Sequence, residues 1–126
     1  MRVVDTSAWI EWLIKSPTGA TVAAALPPNA NWLAPTIVQF ELAKWVRRER
    51  GEEKSDQAIA FSATCVVVPL DTSIAVAAAR VSAEHKLPLA DAIVYATARA
   101  YDADLLTCDA HFKDLPHVIL IEKQTP

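Results

Sequence analysis

The sequence has no uninterrupted apolar run of transmembrane length, and its start, Met1-Arg2-Val3-Val4-Asp5, lacks the long apolar segment of a signal peptide. A cytoplasmic protein with no membrane association is expected. Cysteine is scarce: Cys65 and Cys108 stand far apart, fit no metal-binding spacing and lie at or near the ends of β-like runs. That excludes a disulfide framework and reads as two reduced thiols. Internal repeats, linkers and low-complexity segments are absent, which excludes solenoids and arrays. An excess of positive charge is missing too, since 12 Lys and Arg face 15 Asp and Glu for a net charge of -3. Nucleic-acid binders usually carry a basic surface. The objection is weak, however, because fifteen acids less four gathered round a cation would leave eleven against twelve bases.

What is present is a chain of 126 residues, 52% hydrophobic, which suits one folded domain over residues 1–126 with a substantial core. Arg2-Val3-Val4 reads as a short strand ending at Asp5, after which Thr6 or Ser7 can cap a helix through Leu13. Pro17 to Gly19 reads as a break, Ala20 to Leu26 as a second short helix, and Trp32 to Ala34 as a strand. Thr36 and Gln39 form a capping-box pair for a helix to about Glu49, stopped by Gly51. A fourth helix through Phe61, a fully buried strand Cys65 to Val68 and a helix from Ser73 to about Lys86, capped by Asp71 or Thr72, come next. A helix carrying Asp91, a strand from Ala103 to Thr107, a turn or short helix from Asp109 to Phe112 and a last strand from Val118 to Ile121 complete the order. Strands alternate with helices and are apolar throughout, which predicts a three-layer α/β/α sandwich around a mainly parallel sheet.

Four acids stand out against this frame. Asp91 opens a nearly apolar helix behind Pro88, where the helix dipole favours an anion, yet Leu89, Ala92, Ile93 and Ala96 fall on one inward face. Glu41 interrupts an apolar stripe formed by Ile37, Val38, Leu42 and Trp45, away from the face of Lys44, Arg47 and Arg48. Burying it needs compensation, by an internal salt bridge or by a metal. Asp5 and Asp109 directly follow strands, at the sheet edge where ligands bind in open α/β folds, although each also suits a turn or a cap. Asp71 holds a similar place, but the helix after it explains it as an N-cap.

Oxygen acids without a suitably spaced His or Cys cluster point to Mg²⁺ or Mn²⁺ rather than zinc. His85, His111 and His117 read as structural or exposed. Such a cation activates water and neutralises charge in attack on a phosphodiester. Lys44, Arg47, Arg48, Arg50 and Lys54 form a basic segment that suits nucleic-acid phosphates or simply a solvated helix face.

Taken in order, Val3-Val4-Asp5-Thr6-Ser7, Glu41 in a helix, Leu89-Ala90-Asp91-Ala92 and Leu106-Thr107-Cys108-Asp109-Ala110-His111-Phe112 resemble a PIN domain. More narrowly, they are similar to the VapC toxins of type II toxin-antitoxin modules. The resemblance spans nearly the whole chain and implies a metal-dependent endoribonuclease with Asp5, Glu41, Asp91 and Asp109 as catalytic, metal-binding acids. Within that set it implies Asp5 and Asp91 as leading ligands, Asp109 as a ligand directly or through water, and Glu41 as a ligand or the group orienting the attacking water. Thr6, Ser7 and Thr107 match positions lining the family's site. A homodimer and a VapB-like antitoxin whose tail covers the site are implied as partners, with Trp9, Trp12 and the Trp45 helix offering apolar surface. Two competing readings are a PIN-like module that binds RNA or protein without cutting and, more distantly, a phosphoryl-accepting receiver. A receiver wants adjacent acids after its first strand, whereas Asp5 is followed by Thr6 and Ser7.

Overall fold

The computed structural model describes residues 1–124. Five strands form the sheet: β1 (Arg2–Val4), β2 (Trp32–Pro35), β3 (Val66–Val68), β4 (Asp104–Thr107) and β5 (Val118–Leu120). Six helices join them: α1 (Thr6–Leu13), α2 (Pro17–Ala25), α3 (Thr36–Arg50), α4 (Glu52–Ser62), α5 (Thr72–His85) and α6 (Leu89–Ala100). Single 3₁₀ turns lie at Asn29–Asn31 and Ala110–Phe112.

The strand order is β3-β2-β1-β4-β5, and every pairing is parallel, with Val3 beside both Leu33 and Leu105. The chain therefore steps outward from β1 through β2 to β3, then crosses back to β4 on the other side of β1. Right-handed crossovers put helices made on the outward steps on one face and those made on the return on the other. In accord with this, α1 to α4 pack on one another while α5 and α6 form a second pair. Val3, Val4, Leu33, Leu105 and Leu106 are completely buried between the layers. Above β1 and β2, Trp9, Trp32 and Phe61 pack closely, with ring centroids 4.7 Å apart for the two tryptophans and 5.8 Å for Trp9 and Phe61. Trp9 is thus core, as is Trp32.

Several local expectations change. No capping box forms on α3: Gln39 donates to Ser62 Oγ at 3.0 Å, and Thr36 Oγ1 accepts from the Leu70 N–H at 3.2 Å. Tertiary partners in α4 and the β3–α5 loop outcompete the local pair. Thr6 and Ser7 are not caps either; Asp5 precedes the helix, and both hydroxyls go elsewhere. Pro17 does not break a helix but begins α2 at N1, with Ser16 Oγ accepting from the Gly19 N–H at 2.9 Å. The strand expected to be fully buried is β3, at the sheet edge, where Val67 is 37% exposed because only β2 neighbours it. Ala92, Ile93 and Ala96 do form the buried face of α6, but Leu89, in its first turn, is 78% exposed. Asp71 caps α5 as expected, accepting from the Ile74 N–H at 2.8 Å.

Candidate active site

The reversal of strand order beside β1 leaves a crevice beyond the carboxyl ends of β1 and β4, the usual ligand position of an open parallel sheet. Asp5 is the first residue after β1, and Asp109 is the second after β4. A helix that follows a parallel strand starts at this edge, and a helix that leads into one must also have its first turn here. Glu41 accordingly sits in the second turn of α3, after β2, and Asp91 in the first turn of α6, ahead of β4. All four acids line one cleft of about 540 Å³.

Asp5 is the buried centre, 4% exposed. Its Oδ2 accepts from Ser7 Oγ and from Thr107 Oγ1, both at 2.8 Å. Each hydroxyl is itself oriented by the backbone: the Cys108 N–H donates to Ser7 Oγ and the Asp109 N–H to Thr107 Oγ1, both at 3.0 Å. The two hydroxyls thus meet at one oxygen and also lie within hydrogen-bond distance of each other, at 3.2 Å. Among the described residues no donor reaches Asp5 Oδ1, which stays available. Thr6 Oγ1 donates to Glu41 Oε1 at 2.8 Å. Thr6, Ser7 and Thr107 therefore all hold the acids.

The electrostatics show negative charge in excess of its compensation. Burial pushes the Asp5 carboxyl up, the Ser7 and Thr107 bonds pull it down, and the charges of Glu41 and Asp109 raise it again. Asp91 is pushed up to about 7, first by burial, then by Asp109 and Asp5, with His111 opposing. Among the described residues no Lys, Arg or His forms an ion pair with Glu41, so the salt-bridge explanation of that residue is not what the structure contains. Glu41 is half-buried rather than sealed in the core.

His111 is exposed, as the sequence reading has it, and also reaches two of the acids. Its Nδ1 lies 2.9 Å from Asp109 Oδ1 and 3.1 Å from Asp91 Oδ2. The hydrogen bond to Asp109 raises the imidazole pKa most, and the charges of Asp109 and Asp91 add to it. The available signal was its position two residues after Asp109, inside the same short turn. Lys123, beyond β5, also lines the cleft, and nothing near it in sequence marks it. The basic segment divides: Lys44 and Arg48 line the acid cleft, while Arg50 and Lys54 line a separate groove.

The donor set fits a hard divalent cation. All four acids line the cleft, one oxygen of the buried Asp5 accepts no hydrogen bond among the described residues, and ligand atoms of Asp91, Asp109 and His111 lie within 4.8 Å of one another, a group that takes in neither Asp5 nor Glu41.

Fold and site together define an α/β/α domain with an acid-lined cleft at the switch point of a parallel sheet. The sequence matches the PIN domain family over residues 2–118, and the chain belongs to that family. No curated protein matches it. Among solved structures, it is similar to the toxin-antitoxin complex from Klebsiella pneumoniae with a TM-score of 0.84 and 22% identity, over 98% of this chain and 100% of that one. VapC20 from Mycobacterium tuberculosis, described as a sarcin-ricin loop cleaving toxin, gives a TM-score of 0.76 and 19% identity over 94% and 97% of the two chains. VapBC2 from Rickettsia felis, bound to a DNA fragment from its promoter, gives 0.72 and 17% over 94% and 96%. At these identities the likeness establishes the shared fold.

Proposed function

We propose that the chain is a metal-dependent endoribonuclease that hydrolyses RNA phosphodiester bonds as the cytoplasmic toxin of a VapBC-type toxin-antitoxin pair. The observation that carries this reading is the meeting of Asp5, Glu41, Asp91 and Asp109 in one cleft flanked by Lys44, Arg48 and Lys123. Acids alone would repel RNA; bases along the same walls offset that repulsion and suit backbone phosphates. The sarcin-ricin loop cleavage named for the M. tuberculosis relative supports RNA as the substrate class.

Asp5 and Asp91 are the leading ligands in this reading, Asp109 binds directly or through water, and Glu41 binds or orients the attacking water. Mg²⁺ or Mn²⁺ held there would supply a lowered water pKa and charge neutralisation at the phosphate. Ser7 and Thr107 fix Asp5, Thr6 fixes Glu41, and Lys44, Arg48 and Lys123 position the substrate backbone. The toxin-antitoxin complexes among the structural relatives support a VapB-like partner. For that partner the groove of about 470 Å³ between α1, α3 and α4 is suited, with an apolar floor of Trp12, Trp45 and Phe61 and a rim of Lys15, Arg50 and Lys54. It matches an apolar segment with acidic flanks. A homodimer completes the reading; Phe40 and Leu89, 61% and 78% exposed, offer apolar surface beside two of the acids in sequence.

Purified protein with Mg²⁺ or Mn²⁺ should cut structured RNA to leave a 5′-phosphate, and EDTA should stop it. Asp5→Ala and Asp91→Ala should each abolish cleavage with the fold retained. Cleavage that persists in both variants would sink the assignment, and RNA binding without cutting would favour the non-catalytic module.

A further inference from the structure

His111 occupies an unusual position for an exposed histidine. Its backbone N–H donates to Asp109 Oδ1 at 2.9 Å, and its Nδ1 returns to the same oxygen at 2.9 Å, so one carboxylate oxygen holds both ends of the residue. The turn that carries it is anchored at the next residue, because Phe112 is completely buried and its N–H reaches the Asp109 carbonyl at 3.2 Å. Nδ1 therefore faces the gap between Asp109 and Asp91 on a short, fixed arm. Such a position needs an explanation, since most of the ring surface remains in water.

Donor chemistry supplies one. Nδ1 and one oxygen each from Asp91 and Asp109 lie within 4.8 Å of one another, the spread that the coordination shell of a single ion covers after small rotations and release of the Nδ1 proton to solvent. The four acids alone offer only oxygen, which suits Mg²⁺ with its retained waters. A nitrogen donor changes the balance, because Mg²⁺ is held through carboxylates and retained waters, whereas a first-row transition ion such as Mn²⁺ also accepts imidazole nitrogen. We propose that His111 is a directly bound nitrogen ligand that makes this site prefer Mn²⁺ to Mg²⁺. The inference rests on the metal-dependent reading above and extends it to a residue outside the four acids.

The test is performed without RNA, on the full chain. Mn²⁺ is titrated into the protein and followed by the electron paramagnetic resonance signal of the free ion, Mg²⁺ is measured by competition, and ¹⁴N coupling to bound Mn²⁺ is read by electron spin echo envelope modulation. The wild-type protein should show ¹⁴N modulation that His111→Ala removes. The same substitution should weaken Mn²⁺ binding by about 10-fold or more, and Mg²⁺ binding by no more than about threefold. His111→Gln, which keeps a polar side chain but offers no imidazole, should behave like His111→Ala. Bound Mn²⁺ without ¹⁴N modulation in the wild type would overturn the inference, as would equal weakening of both ions. No saturable Mn²⁺ binding in the wild type, or binding that survives Asp5→Ala and Asp91→Ala, would instead overturn the metal reading on which it rests.

Discussion

Thr6 Oγ1 donates to Glu41 Oε1 at 2.8 Å, joining the first residue of α1 to the second turn of α3 across the mouth of the acid cleft. The bond fixes one oxygen of a carboxylate that no cation holds among the described residues. If Glu41 orients the attacking water, its rotamer matters to turnover more than to RNA binding. Thr6→Val, which keeps the shape and removes the hydroxyl, should therefore lower kcat by about 10-fold or more with KM nearly unchanged. Thr6→Ser should recover most of the rate. A change confined to KM would move the Thr6–Glu41 pair from orientation to substrate binding.

Thr107 performs a similar service for Asp5, but from a fully buried position. It donates to Asp5 Oδ2 at 2.8 Å and accepts from the Asp109 N–H at 3.0 Å, so a single hydroxyl positions two acids. Thr107→Val leaves a backbone donor unpaired and should cost about 1–3 kcal/mol of stability by chemical denaturation. Divalent-ion affinity should fall by about 10-fold or more in the same variant. Thr107→Ser retains both bonds and should largely restore both quantities.

The parts of the site that depend on sequential position were legible beforehand. Asp5 and Asp109 follow apolar strands, and an open parallel sheet sends such residues to its ligand edge. Glu41 was marked by its place on an apolar stripe. What could not be read was anything decided by partners remote in sequence. Gln39 looks like half of a capping box until Ser62 is brought beside it, and β3 looks fully buried until the topology makes it an edge. His111 reads as exposed and is exposed, but exposure says nothing of what its ring nitrogen faces. Its meaning lies in the direction of Nδ1, which is set by a turn and by Asp91, 20 positions earlier.

Gly19 tests the packing that positions α1. A Cβ there would come within 2.1 Å of the Glu11 carbonyl oxygen and 2.8 Å of its carbon, both backbone atoms that cannot move aside alone. Alanine is the better helix former by about 1 kcal/mol. Forcing α1 and α2 apart costs about 1–3 kcal/mol, so the clash should outweigh the propensity gain. Gly19→Ala is expected to lower Tm, and because Glu11 lines the acid cleft, to weaken divalent-ion binding as well. A variant more stable than wild type would show that the helices separate freely.

The charge pattern of the cleft predicts how stability, metal and pH are linked. Asp91 has a folded-state pKa of about 7 against an ordinary value of 3.8, and Asp5 is raised in the same direction. For a group raised in this way the folded state binds the proton more tightly, so its stabilising contribution is complete below the unfolded pKa and is lost as pH rises through the folded one. In metal-free protein, these two acids should therefore make Tm decline as pH rises from about 4 to 7. A divalent cation needs the ionised carboxylates, so its binding should release protons and strengthen over the same interval. Saturating Mn²⁺ should consequently raise Tm more at pH 7.5 than at pH 5.5. Asp91→Asn removes the titrating group and should flatten the metal-free profile while abolishing most of the Mn²⁺-dependent rise. Calorimetric scans at matched ionic strength, with EDTA or with Mn²⁺, check both signs. A metal-free Tm that climbs across this interval in wild-type protein, and is unchanged in Asp91→Asn, would mean that Asp91 is already ionised without a cation.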